Sequence, residues 1–112
     1  MDPLPAAALR RFIEGQGDRP IRHGELRRAL GVGDRTLRRL FAATYGVSPS
    51  RFLRVRRMEL ARKSLQRGRD DRVTDAGVRY GFYDLGRFAS EYRRLFNELP
   101  SETLRRRRGP TV

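Results

Sequence analysis

The sequence predicts an all-α chain of about seven helices, in which one pattern occurs twice around a long central helix: short helix, glycine turn, longer helix. Three observations predict it. Apolar residues recur at helical spacing, with no convincing strand alternation. Caps and stop residues punctuate the chain at regular places. The second half repeats the first about fifty residues on.

A first helix is expected from about Pro5 to Gln16, where Leu9, Phe12 and Ile13 fall at i, i+3, i+4 before Gly15-Gln16-Gly17-Asp18 ends it. A short helix follows from about His23 to Leu30, then the turn Gly31-Val32-Gly33. The third runs from about Asp34 to Tyr45 with Leu37, Leu40, Phe41 and Tyr45 on one face, and stops at Gly46, where a left-handed residue costs little. Ser48 as N-cap and Pro49 at the first helical position open the central helix, which runs to about Arg67. Its apolar residues (Phe52, Leu53, Val55, Met58, Leu60, Ala61, Leu65) spread too widely for one stripe, as in a helix held from two sides. Gly68-Arg69-Asp70-Asp71 ends it. Thr74 is expected to cap a short helix to about Tyr80, and Asp84 another to about Phe96 that stops at Asn97. Pro100-Ser101-Glu102 opens a last short helix before an arginine tail.

Laid fifty positions apart, Leu26 falls on Ala76, Gly31 on Gly81 and Val32 on Phe82. With one residue inserted in the turn, Leu37 falls on Phe88, Phe41 on Tyr92, Tyr45 on Phe96, Gly46 on Asn97 and Pro49 on Pro100. Each half thus reads as a helix-turn-helix, the alternative being an ordinary helical bundle whose halves are alike by chance. The expected division is a first such subdomain over 1–47, a linker helix over 48–67, a second subdomain over 68–104 and a basic tail over 105–112.

The 112 residues carry 26 Lys+Arg against 13 Asp+Glu, a net charge of +13, and Lys63 is the one cation that is not arginine. Such an excess calls for a polyanion, nucleic acid first and an anionic membrane second. It is uneven: residues 1–50 are net +4, 51–72 net +6, 73–104 net −1, and 105–112 net +4. Bulk attraction therefore does not drive the third segment. There is no cysteine and one histidine, His23, so no metal, cofactor or nucleophile–base–orienter set is expected and the chain does not read as an enzyme. The longest uncharged run, Phe41 to Ser50, is too short to span a bilayer, and the first residues do not read as a signal peptide, so a reducing cytoplasm is the expected compartment.

The stretches GVGDRTLRRLF (31–41), GVSPSRFLRVRRMELAR (46–62) and VTDAGVRYGFYDLGRFASEYRRLF (73–96), with Pro100, resemble the DNA-binding domain of AraC/XylS-type transcriptional regulators over about residues 5–105. The ending ELPSETLRR (98–106) is similar to a subgroup that includes regulators of ethanolamine utilisation. The resemblance implies two helix-turn-helix, homeodomain-like subdomains on a central helix, with their recognition helices in successive major-groove segments of double-stranded DNA. It also implies that Arg35, Arg38 and Arg39 face the bases, and that Gly86, Arg87 and Ser90 hold the equivalent positions in the second helix. Helical geometry agrees for the first set: with Leu37, Leu40 and Phe41 inward, positions 35, 38, 39 and 42 share the outer face.

Gly86 and Ser90 depart from members with long polar residues there. The first subdomain is therefore expected to read most of the sequence, with Arg87, Arg93 and Arg94 positioning the second on phosphates. Arg27 and Gly77 also depart from the small residue and the alanine usual at their positions. Arg57 is expected to be structural, the aromatics to be core and His23 to be surface. Arg105–Arg108 read either as a solvated end or, preferred, as an electrostatic arm. Two other functions stay open at this stage: a basic RNA-binding or ribosome-associated protein, and an interaction module docking on polymerase. The chain reads either as the C-terminal piece of a longer regulator or as a stand-alone member, acting as a monomer.

Overall fold

The computed structural model describes residues 3–109; the first two residues of the expected first subdomain and the last three of the expected tail lie outside the described residues. Seven α-helices and no strand occur among the described residues: α1 (Pro3–Glu14), α2 (His23–Leu30), α3 (Asp34–Tyr45), α4 (Pro49–Arg67), α5 (Val73–Arg79), α6 (Leu85–Phe96) and α7 (Pro100–Arg108). They form two compact units, the first ending at Val55 and the second starting at Arg56.

Unit 1 packs α1, α2, α3 and the start of α4 around Leu9, Ile13, Ile21, Leu26, Leu37, Leu40, Phe41 and Leu53. The Phe41 ring meets Phe52 edge-on at 5.3 Å, and Tyr45 lies 4.3 Å from Phe52. Unit 2 packs the rest of α4 with α5, α6 and α7 around Met58, Leu60, Ala61, Leu65, Ala76, Tyr80, Phe82, Phe88 and Tyr92. The wide apolar spread of α4 is thereby explained, since its first turns fill one core and its later turns the other. Each fully buried large side chain contributes roughly 1.5–3 kcal/mol.

The repeat is visible residue by residue. Leu26 and Ala76, Leu37 and Phe88, and Phe41 and Tyr92 are all buried at equivalent places. The smaller Ala76 is matched by the larger Phe88. Gly46 and Asn97 end α3 and α6 in the left-handed conformation, at φ 72° and 58°. Pro49 and Pro100 stand at the first position of α4 and α7. Gly31 and Gly81 turn the chain with φ 65° and 87°, but their surroundings differ. A Cβ at Gly31 would meet nothing within 4 Å, whereas one at Gly81 would come 2.8 Å from the Arg57 guanidinium. That guanidinium stacks on the Phe82 ring at 5.1 Å and donates to the Tyr80 carbonyl at 3.5 Å, the structural part expected of Arg57.

Three boundaries differ from expectation. Helix α1 starts at Pro3 and ends at Glu14; a proline in the first turn forfeits no helical hydrogen bond. Helix α5 starts at Val73 with Arg72, not Thr74, at its N-cap and no side-chain cap. Val73 packs against the core of unit 2, and that packing outweighs the capping preference of a threonine one residue on. Helix α7 runs through the arginines to Arg108 rather than stopping before a tail. Arg106 pairs with Glu98 at 3.1 Å and Arg107 with Asp71 at 2.8 Å, while Arg108 donates to the Asp71 carbonyl at 2.9 Å. Cations also suit a helix C-terminus, where carbonyl dipoles accumulate.

Candidate nucleic-acid interface

In unit 1, helix α3 is set by the left-handed turn at Gly31 and by the burial of Leu37, Leu40 and Phe41. The opposite face carries Arg35, Arg38, Arg39 and Ala42, all exposed. Among the described residues, none of these three guanidinium groups forms a hydrogen bond or ion pair within the chain, so the face presents three uncompensated charges. Neighbouring charges behave otherwise. Arg27 leans outward onto Asp34 at 2.6 Å, removing an anion from the start of α3. Arg19 and Glu25 pair at 2.5 Å, and that pairing holds the Glu25 carboxyl below its ordinary range.

In unit 2, helix α6 is capped by Asp84, whose carboxylate accepts from the Arg87 amide at 3.1 Å. Phe88 and Tyr92 face inward. Gly86, Arg87, Ser90, Arg93 and Arg94 are exposed and fall within about a third of the helix circumference. The reaching groups on this face are again arginines, while Gly86 and Ser90 leave it bare in between. One residue that the sequence reading passed over stands beside it: Tyr83, just before the cap, is 79% exposed. Its signal was its place before an Asp N-cap, where an apolar residue ordinarily folds back onto the fourth helical residue.

Buried polar contacts hold the frame of unit 2. Asp70, 4% exposed, receives Arg79 through Nε at 2.9 Å and Nη2 at 3.0 Å, and bonds the Ser64 hydroxyl. The Arg79 pairing, with the Ser64 bond, holds the Asp70 carboxyl below its ordinary range despite burial. The Tyr92 hydroxyl meets the buried Thr103 hydroxyl at 2.6 Å, tying α6 to α7; burial pushes the phenol up. His23 is half-buried at the start of α2. Among the described residues no group of three metal-binding side chains occurs, and no helix is long and apolar enough to cross a membrane.

A family model described as a helix-turn-helix domain matches residues 26–106. The crystal structure of a probable AraC family transcriptional regulator from Rhodopseudomonas palustris is similar to this chain with a TM-score of 0.75 and 34% identity, covering 93% of this chain and 97% of that one. The chain belongs to the AraC family. Two curated AraC-type relatives agree. A probable thc operon regulatory protein of Rhodococcus erythropolis is 38% identical over 96 residues, 84% of this chain and 29% of the relative. A XylDLEGF operon transcriptional activator of Pseudomonas putida is 38% identical over 99 residues, 87% of this chain and 30% of the relative. The chain thus spans about 30% of the length of these AraC-type regulators. The AraC family is one of transcriptional regulators, not enzymes, and double-stranded DNA is the partner of its helix-turn-helix domain.

Proposed function

We propose that this domain reads an asymmetric duplex operator with unequal contributions from its two recognition helices. Arg35, Arg38 and Arg39 on α3 supply most of the base contacts. Arginine reads guanine through O6 and N7, each good pair contributing about 1–3 kcal/mol of discrimination. Arg87, Arg93 and Arg94 on α6 position unit 2 on phosphates, with Gly86 and Ser90 lying close to the groove without reaching far into it. The observation that carries this reading is the contrast between the uncompensated arginine face of α3 in unit 1 and the partly bare face of α6 in unit 2. Two reading heads on one chain support action as a monomer, and membership of a family of transcriptional regulators supports action in the cytoplasm with RNA polymerase as a further partner.

Selection of bound sequences from a random duplex pool, followed by base substitution across the recovered site, tests the proposal. Two recognised segments about 10 base pairs apart are expected. Substitutions in the segment facing α3 cost more, and replacing Arg35, Arg38 and Arg39 by alanine relaxes that segment's preference. Equal penalties in both segments, or a preference unchanged in the triple variant, would contradict it. A tight dimer in sedimentation without DNA would contradict the monomer.

A further inference from the structure

The AraC-type resemblance implies that the base-reading positions of the second helix fall on Gly86, Arg87 and Ser90, and two of those three carry almost no side chain. Three residues before Gly86 in the chain stands an exposed aromatic residue. Tyr83 occupies the position before the Asp84 cap, and Phe88 is the fourth residue of α6. An apolar pair at these positions ordinarily packs together. Here Phe88 is fully buried against Phe82 and Tyr92, while Tyr83 remains 79% exposed. Neither its ring nor its hydroxyl has a partner among the described residues.

Gly86 adds a second observation. It lacks the positive φ that demands glycine, and a Cβ there would meet only the Asp84 carboxylate at 3.6 Å, an ordinary contact. Nothing within the chain calls for glycine at this place, although glycine weakens a helix relative to alanine.

We infer that Tyr83 is a specificity-determining residue of the second recognition element, its ring packing on the C5-methyl group of a thymine in the groove segment that α6 enters. An aromatic ring reads thymine through that methyl group in the major groove, where the other bases present none. The bare surface at Gly86 lets the base pair come close enough, and the exposed cations Arg87 and Arg94 suit a polyanion rather than a protein surface. This rests on the operator reading above and deepens it: unit 2 reads sequence through an apolar contact instead of polar ones.

The test uses the duplex recovered from the random pool, with each thymine facing α6 replaced in turn by deoxyuridine, which lacks only the methyl. Binding of the full chain, Tyr83→Phe and Tyr83→Ala is followed by fluorescence anisotropy, and circular dichroism confirms that each variant is folded. One deoxyuridine position is expected to weaken the unaltered chain and Tyr83→Phe about fourfold, the worth of a methyl group kept from water. Tyr83→Ala should bind the thymine duplex about tenfold more weakly and be indifferent to that replacement. The inference is overturned if Tyr83→Ala binds within twofold of the unaltered chain, or keeps the deoxyuridine penalty. It is equally overturned if Tyr83→Phe behaves like Tyr83→Ala, since a hydroxyl on phosphate would then be the contact. Loss of transcription with polymerase at unchanged duplex affinity would give Tyr83 to a protein partner instead, and overturns it too. Absence of any duplex preference in the unaltered chain sinks the operator reading itself; a preference that ignores Tyr83 sinks this inference alone.

Discussion

Replacing Asp70 by asparagine removes one negative charge from the frame of unit 2 at nearly constant volume. The native carboxylate is buried, accepts two bonds from Arg79 at 2.9 and 3.0 Å, and bonds Ser64. An amide keeps one acceptor oxygen and turns the other position into a donor, which cannot face Arg79. Hydrogen bonds to charged groups contribute roughly 1.5–3 kcal/mol. Arg79 is 41% exposed and rehydrates when released, which lowers the loss. A destabilisation of about 2 kcal/mol is expected for Asp70→Asn, or roughly 8–16 °C in Tm for a domain of this size. The pH dependence follows from the direction of the shift. The Asp70 carboxyl is held below its ordinary value by Arg79. Its stabilisation is therefore complete above the unfolded-state value of about 3.9 and is lost as pH falls through the lower folded value. Melts followed by circular dichroism should show the same gap between native chain and variant at pH 7 and pH 5, narrowing as the pH drops below 4. A gap of constant size down to the most acid pH, or none at pH 7, would refute the reasoning.

Three further outcomes are expected in urea unfolding. Tyr92→Phe strips the buried Thr103 hydroxyl of its 2.6 Å partner and should cost about 1–2 kcal/mol. Gly77→Ala should stabilise by up to about 1 kcal/mol through helix propensity. The one tight neighbour of the new Cβ is the Leu85 Cδ2 at 3.2 Å, and Leu85 is exposed enough to turn aside, so a destabilisation would show that it does not. Asn97→Ala should lose about 1 kcal/mol, because Asn97 sits at φ 58°; Asn97→Gly should not.

Much of the architecture was legible because local chemistry and packing agree in it. Ser48 Oγ accepts from the Arg51 amide at 3.1 Å and Asp84 from the Arg87 amide, so the starts of α4 and α6 were readable from short polar residues ahead of apolar periodicity. The outward placement of Arg35, Arg38 and Arg39 followed from Leu37, Leu40 and Phe41, since a helix has only one way to bury those three together. What escaped depends on residues distant in the chain. Arg107 is held by Asp71, 36 positions away, so the helical arginines of α7 could not be told from a tail. The start of α5 turned on the packing of Val73, and the exposure of Tyr83 on Phe88 being fully occupied elsewhere. Asp70 looked like one of a loop-forming pair; only the return of α5 over it makes it a buried anchor.

The two glycine turns, alike as letters, differ in what they would tolerate. At position 31 only the backbone angle constrains the choice, so asparagine or aspartate should survive there in a randomised library. At position 81 the Arg57 side chain also occupies the volume a Cβ would need. One copy of the duplicated corner is thus open to evolutionary drift, and the other is locked for as long as Arg57 keeps its seat on Phe82.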